Sequence, residues 1–210
     1  MTQNKRKKVI GVTGGVGSGK SVVMKMLSEE FGARVILADL VGHDLMKPGA
    51  VSYRQIVDAF GEEILGEGGW IDRPSLSAIV FSDSEKLALL NQITHPNIKA
   101  EIIRRIEEGQ NAQEASMIAV EAALLIEEDY GSLFDEMWYV YVDTETRMKR
   151  LADGRGYSEE KSRSIMRKQL SDEVFFASCQ RVIDNSTDVE CTRQQVKQAL
   201  LELEILEKDH

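Results

Sequence analysis

The sequence predicts an α/β fold of three layers, a five-stranded parallel sheet with helices on both faces. Two observations carry this. Five short apolar runs, Val9–Thr13, Arg34–Ala38, Met117–Ala122, Glu136–Val142 and Arg181–Ile183, alternate with segments of helical spacing. Most of the runs lack polar alternation, as parallel strands covered on both faces do. A third observation fixes the first unit. A glycine-rich turn joins Val9–Thr13 to the helix-spaced Ser21–Leu27, giving strand, loop and helix in succession.

That turn, Gly14-Gly15-Val16-Gly17-Ser18-Gly19-Lys20-Ser21, fits the phosphate-binding pattern G-x-x-x-x-G-K-[ST]. Glycines allow successive backbone N–H groups to turn inward, and the helix opening at Ser21-Val22 adds its positive end beneath an anion. Lys20 supplies a point charge for β/γ-phosphates and the Ser21 hydroxyl a ligand for Mg²⁺. Gly14 through Val22 are therefore expected to hold the phosphates of a nucleotide.

Two inter-strand segments exceed what a crossover needs. Residues 40–115 carry helix-like stretches at Tyr53–Phe60, Arg73–Phe81 and Glu85–Gln92, and another beginning near Asn97, with Pro96 in its first turn. Residues 144–179 include Ser158-Glu159-Glu160, which opens a helix expected to run to Gln169, while Gly154 and Gly156 loosen its entry. They read as a substrate-covering insertion and a lid on a single domain spanning 1–210.

Composition bounds the function classes. The chain of 210 residues is 42% hydrophobic and 29% charged, with a net charge of −9. That charge argues against broad nucleic-acid affinity, and no apolar run approaches the length of a membrane span. Cys179 and Cys191 form no paired motif, and His43, His95 and His210 are too scattered for a zinc site. The expectation is a cytoplasmic protein, a monomer or weak oligomer. Lys5-Arg6-Lys7-Lys8 reads as a solvated basic tail. Between Arg147 and Lys168, eight basic residues face three acidic ones, a local +5 in a chain whose remainder is −14. Such an island would steer an anionic substrate.

Other candidates surround the loop. Asp39 closes the second strand, at the carboxyl end where open α/β sheets bind ligands. It would take the proton of an attacking hydroxyl or orient Mg²⁺, and a helix N-cap is the structural alternative. Glu121 ends the third run as a candidate metal ligand, with Glu127, Glu128 and Asp129 competing. Arg163 and Arg167 share a helix face and, with Arg150 and Arg155, could clamp phosphates; a solvated basic face explains them too. Asn185 could meet a nucleotide base, or belong to a turn.

Taken together, GVTGGVGSGKS at 11–21, ILAD at 36–39, FGEEILGEGGWIDRPSLSAIVF at 60–81, HPNI at 95–98, EAALLIEE at 121–128 and RVIDNS at 181–186 resemble the dephospho-coenzyme A kinase family. The resemblance implies a P-loop kinase core, a helical coenzyme-binding part and a lid. It implies ATP and Mg²⁺, transfer of a phosphoryl group to the ribose 3′-hydroxyl of dephospho-CoA, and Asp39 as the base. Lys20, Arg150 and Arg155 would assist. Another P-loop kinase of small molecules is the alternative reading. A GTP switch would need an N-K-x-D motif, which is absent. Gly154 stands where the family carries a second lid arginine, with Arg155 one position later, and Ala123 replaces the family's proline.

Overall fold

A computed structural model describes residues 6–206; Lys5 and His210 lie outside the described residues. The sheet contains β1 (Val9–Thr13), β2 (Ala33–Leu37), β3 (Met117–Glu121), β4 (Glu136–Tyr141) and β5 (Arg181–Asp184) in the order β2-β3-β1-β4-β5. The ladders of β1 with β3 and β4, and of β4 with β5, are parallel. Every residue of β1 is buried, as its unbroken apolar run predicts. Trp138 is fully buried at the centre of β4, and its Nε1 donates to Glu136. Glu136 is itself buried and paired with Arg181, so the charge is not left alone inside.

Around this sheet lie α1 (Lys20–Glu29), α6 (Thr144–Arg155), α7 (Glu159–Arg167), α8 (Asp172–Ser178) and α9 (Val189–Glu202). Asp143, Ser158 and Asp188 cap α6, α7 and α9, each accepting a backbone N–H from the first turn. Gly156 ends α6 in the left-handed conformation. The segment Arg6–Lys8 is not a solvated tail. Arg6 and Lys8 pair with Asp135, and Lys7 bonds Gln110 through backbone and side chain. Asp135 also accepts from the Val9 N–H, which anchors the entry to β1.

Residues Leu37–Glu107 form a second compact unit, made of α2 (Ala38–Leu45), α3 (Val51–Phe60), α4 (Arg73–Phe81) and most of α5 (Ser84–Asn111). Its own core gathers Ile56, Phe60, Ile64, Leu76 and Val80. Asp72 caps α4 and Asp83 caps α5, each accepting first-turn N–H groups. Along α5, Glu101 bridges Arg104 and Arg105, and Arg105 reaches Asp44 of α2.

The structure corrects the sequence reading in four places. The stretches at Glu85–Gln92 and beyond Asn97 are one helix, α5, of 28 residues that continues through Pro96. Pro96 removes one ladder N–H, and beside it the Asn97 side-chain amide bonds the Ile93 carbonyl one turn back. Asp39 does not close a strand. β2 stops at Leu37, and Asp39 lies in the first turn of α2, where a carboxylate is favoured by the helix dipole. It is not the N-cap either, a position held by Leu37. Finally, α7 stops at Arg167 rather than Gln169, and a separate helix, α8, follows.

Truncating Ile56, fully buried in the core of the second unit, to alanine should lower stability to urea by about 2–5 kcal/mol. The Arg104 hydrogen bond, and then that of Arg105, hold the Glu101 carboxyl well below its ordinary value, at about 2. Its contribution to stability is therefore complete above about pH 4.5 and lost as the pH falls toward about 2. Glu101→Gln should be less stable than the parent near neutrality, and the gap between their urea midpoints should narrow steadily below about pH 4.

Candidate active site

A loop that binds phosphate must aim its N–H groups inward while its own carbonyls find donors elsewhere. In the loop between β1 and α1 five carbonyls find them. The Gly14 carbonyl accepts from Lys20 Nζ at 2.8 Å, and the Gly15 carbonyl from the Ser18 N–H at 3.2 Å. Arg147 Nε donates to the Val16 carbonyl at 2.8 Å, and Asn185 Nδ2 to the Ser18 carbonyl at 2.8 Å. The Gly19 carbonyl takes the Val22 and Val23 N–H groups as α1 begins.

Two glycines are demanded by these partners. Gly19 has φ of 90°, and a Cβ there would overlap Asn185 Nδ2. At Gly15 a Cβ would overlap Arg147 Nη2.

Arg147 belongs to α6 and is 8% exposed. Burial pulls its pKa below the ordinary arginine value, a trend opposed by the charge of Asp172. Among the described residues no carboxylate is ion-paired with it. Its second partner is Gln169, whose Oε1 accepts from Arg147 Nη2 and from the Val16 N–H at 3.2 Å. Gln169 lies just before α8. That helix is fixed to β4 by Tyr139, which donates to Asp172 at 2.6 Å and stacks on Phe175 at 4.5 Å between ring centroids. Burial, reinforced by Asp172, raises the Tyr139 pKa, so the phenol stays protonated and keeps this bond.

The candidates named from sequence divide into three groups. Lys20, Glu121, Arg150 and Asn185 gather at the loop. Glu121 ends β3 with Oε1 3.8 Å from Lys20 Nζ, whereas Glu127, Glu128 and Asp129 lie in the turn that follows. Arg150 donates through Nη2 to the Asn185 carbonyl at 2.8 Å. Asn185 is 4% exposed, and its amide is engaged at both ends, donating to Ser18 and accepting from Thr192 at 2.9 Å. It braces the loop. Arg155, Arg163 and Arg167 form the second group, all exposed on α6 and α7, with Arg163 paired to Glu159. Asp39 belongs to the second compact unit, exposed and without an ion pair among the described residues.

Sequence reasoning missed Arg147 and Gln169 as site residues. In the sequence Arg147 stands out only as part of the basic island. A signal for it existed: it precedes Leu151 by four positions, and Leu151 is 1% exposed, so the two share the buried face of α6. No comparable pattern marks Gln169, which lies in a connection between helices.

The loop also holds polar atoms that the chain itself does not satisfy. Ser18 Oγ and Arg150 Nη1 are buried without a hydrogen-bond partner, and Arg147 carries a buried charge. An anion rich in acceptor oxygens is what such a set fits. The family model for dephospho-CoA kinase matches residues 8–190. The chain belongs to the dephospho-CoA kinase family. It is 41% identical to the dephospho-CoA kinase of Carboxydothermus hydrogenoformans over 188 residues, 90% of each chain. Among solved structures it is similar to TT1252 from Thermus thermophilus, with a TM-score of 0.78 and 27% identity over 95% of this chain and 99% of that one. It is also similar to dephospho-CoA kinase from Campylobacter jejuni, with a TM-score of 0.70 and 25% identity over 93% and 96%. As a dephospho-CoA kinase family member the chain is a P-loop phosphotransferase of coenzyme A biosynthesis.

Asn185→Leu should leave the Ser18 carbonyl and the Thr192 hydroxyl buried without this partner. Unfolding free energy should fall by about 2–4 kcal/mol, and ATP should bind at least about tenfold more weakly by calorimetry. Unchanged ATP affinity would show that the brace does not shape the loop.

Proposed function

We propose that the protein transfers the γ-phosphoryl group of ATP to the ribose 3′-hydroxyl of dephospho-CoA, releasing CoA and ADP. The observation that carries the donor half is the loop itself, with its Val16 and Ser18 carbonyls held by distant side chains and its buried Arg150 Nη1 and Ser18 Oγ unpartnered. ATP phosphates would accept from the inward N–H groups, from Lys20 and from Arg150. Arg147 would add positive potential from behind, without desolvation at the moment of reaction. The acceptor half rests on family membership.

The roles then follow from ordinary chemistry. Asp39, exposed at the start of α2 and free of ion pairs among the described residues, retains acceptor capacity for the ribose hydroxyl proton. Lys20 moves with the charge that develops on the β/γ-bridging oxygen. Asn185 acts through the loop and not on the base. Mg²⁺ would neutralise charge on the phosphates. Ser21 would hold it, with Glu121 behind. No group of three His, Cys, Asp or Glu that could hold a metal occurs among the described residues. Phosphate oxygens and water would therefore complete its shell. The segment 144–179 is read as the lid and the unit Leu37–Glu107 as the acceptor-binding part. Arg155, exposed at the end of α6, would reach the phosphates only on closure.

Two substitutions test the roles in a coupled assay of ADP release. Lys20→Ala and Asp39→Asn should each lower kcat by about 10²-fold or more. ADP release should depend on dephospho-CoA, and equal rates with AMP as acceptor would overturn the assignment. Near-parental turnover by Asp39→Asn would remove the base.

A further inference from the structure

Three arginines of the second compact unit are held in two different ways. Arg104 and Arg105 are spent on carboxylates, those of Glu101 and Asp44. Arg73 is not. Its Nη1 lies 2.9 Å from His43 Nε2. A guanidinium can only donate, so this contact requires a lone pair on Nε2, which makes the imidazole neutral with its proton on Nδ1. Arg73 is thus oriented by a partner that does not cancel its charge. It remains exposed, with further N–H donors in its fork.

The place of this pair is specific. Asp72 caps α4 and so fixes Arg73 at the first helical position. His43 follows Asp39 by four residues on α2, so the two share one face of the helix, separated by about 6 Å of rise. An exposed carboxylate and, seated on a residue one turn along the same face, an uncancelled cation match a ligand offering a hydroxyl at one point and an anion at the other.

We infer that Arg73, seated on His43, binds the pyrophosphate of dephospho-CoA and thereby sets the ribose against Asp39. Arg73 is the contacting residue and His43 positions it. This rests on the reading of dephospho-CoA as acceptor, and its experiment separates the two. Binding of dephospho-CoA alone is measured by calorimetry, and steady-state constants are measured beside it. Arg73→Ala should weaken dephospho-CoA binding and raise its KM by about tenfold or more, and lower kcat as the ribose loses its place against Asp39, with KM for ATP within about twofold. Arg73→Lys should recover only part, because the fork is lost. His43→Ala should raise the same KM about threefold to tenfold, and His43→Gln, whose carbonyl can accept from Arg73, should restore most of it. Unfolding midpoints should stay level, since both side chains are exposed.

An unchanged Kd for dephospho-CoA in Arg73→Ala would overturn the inference, and so would an equal rise in KM for ATP. If the parent protein binds dephospho-CoA yet does not phosphorylate it, the reaction assignment fails while the anion site stands.

Discussion

The loop between β1 and α1 has to solve a problem of valence before it can bind anything. Turning several N–H groups toward one point turns neighbouring carbonyls away from it, and those carbonyls need donors at fixed places. Here the donors arrive from distant parts of the chain. Lys20 comes from the loop's own helix, Arg147 from α6, and Asn185 from the end of β5. The order of the sheet makes this workable. β1 lies beside β4, and β4 beside β5, so the segments that follow those two strands emerge next to the loop.

The same arrangement explains how an acidic protein keeps a cationic centre. Buried arginine is expensive, and Arg147 is retained without a paired carboxylate. Its bonds to a backbone carbonyl and to Gln169 satisfy its geometry while leaving its charge uncancelled. Arg73 in the other unit follows the same rule with a neutral imidazole. In both places a cation is held by an uncharged acceptor, which is how a protein reserves charge for a ligand. Surface arginines such as Arg163 and Arg193, paired with neighbouring glutamates, show the ordinary alternative.

Much of the architecture was legible because it is written in local patterns. The apolar runs gave five strands within a residue or two, the loop declared itself, and Arg73–Phe81 coincides with α4. What escaped depended on contacts between distant segments. Pro96 reads as a helix start, yet α5 continues through it, with an asparagine side chain bonding a carbonyl beside it. Asp39 reads as a strand end, because nothing in Leu37-Ala38 announces a helix that starts without a capping side chain. Asn185 reads as a group for a base, since no periodicity reveals that Ser18 and Thr192 already occupy its amide. The basic island was visible as charge alone. Sequence spacing did not separate Arg147, which turns inward, from Arg155, which does not.

Gly15 and Arg147 carry a consequence for how this loop can change over generations. A side chain at position 15 would overlap the guanidinium, so replacing the glycine first would displace Arg147 from its partners. Shortening residue 147 would open that room, but it strips the Val16 carbonyl of its donor and leaves Gln169 with only the Val16 N–H of its two partners. Neither single step is neutral, and only a joint replacement could cross between the two solutions. The pair is therefore a lock in sequence space: descendants of this chain should keep both residues or lose both.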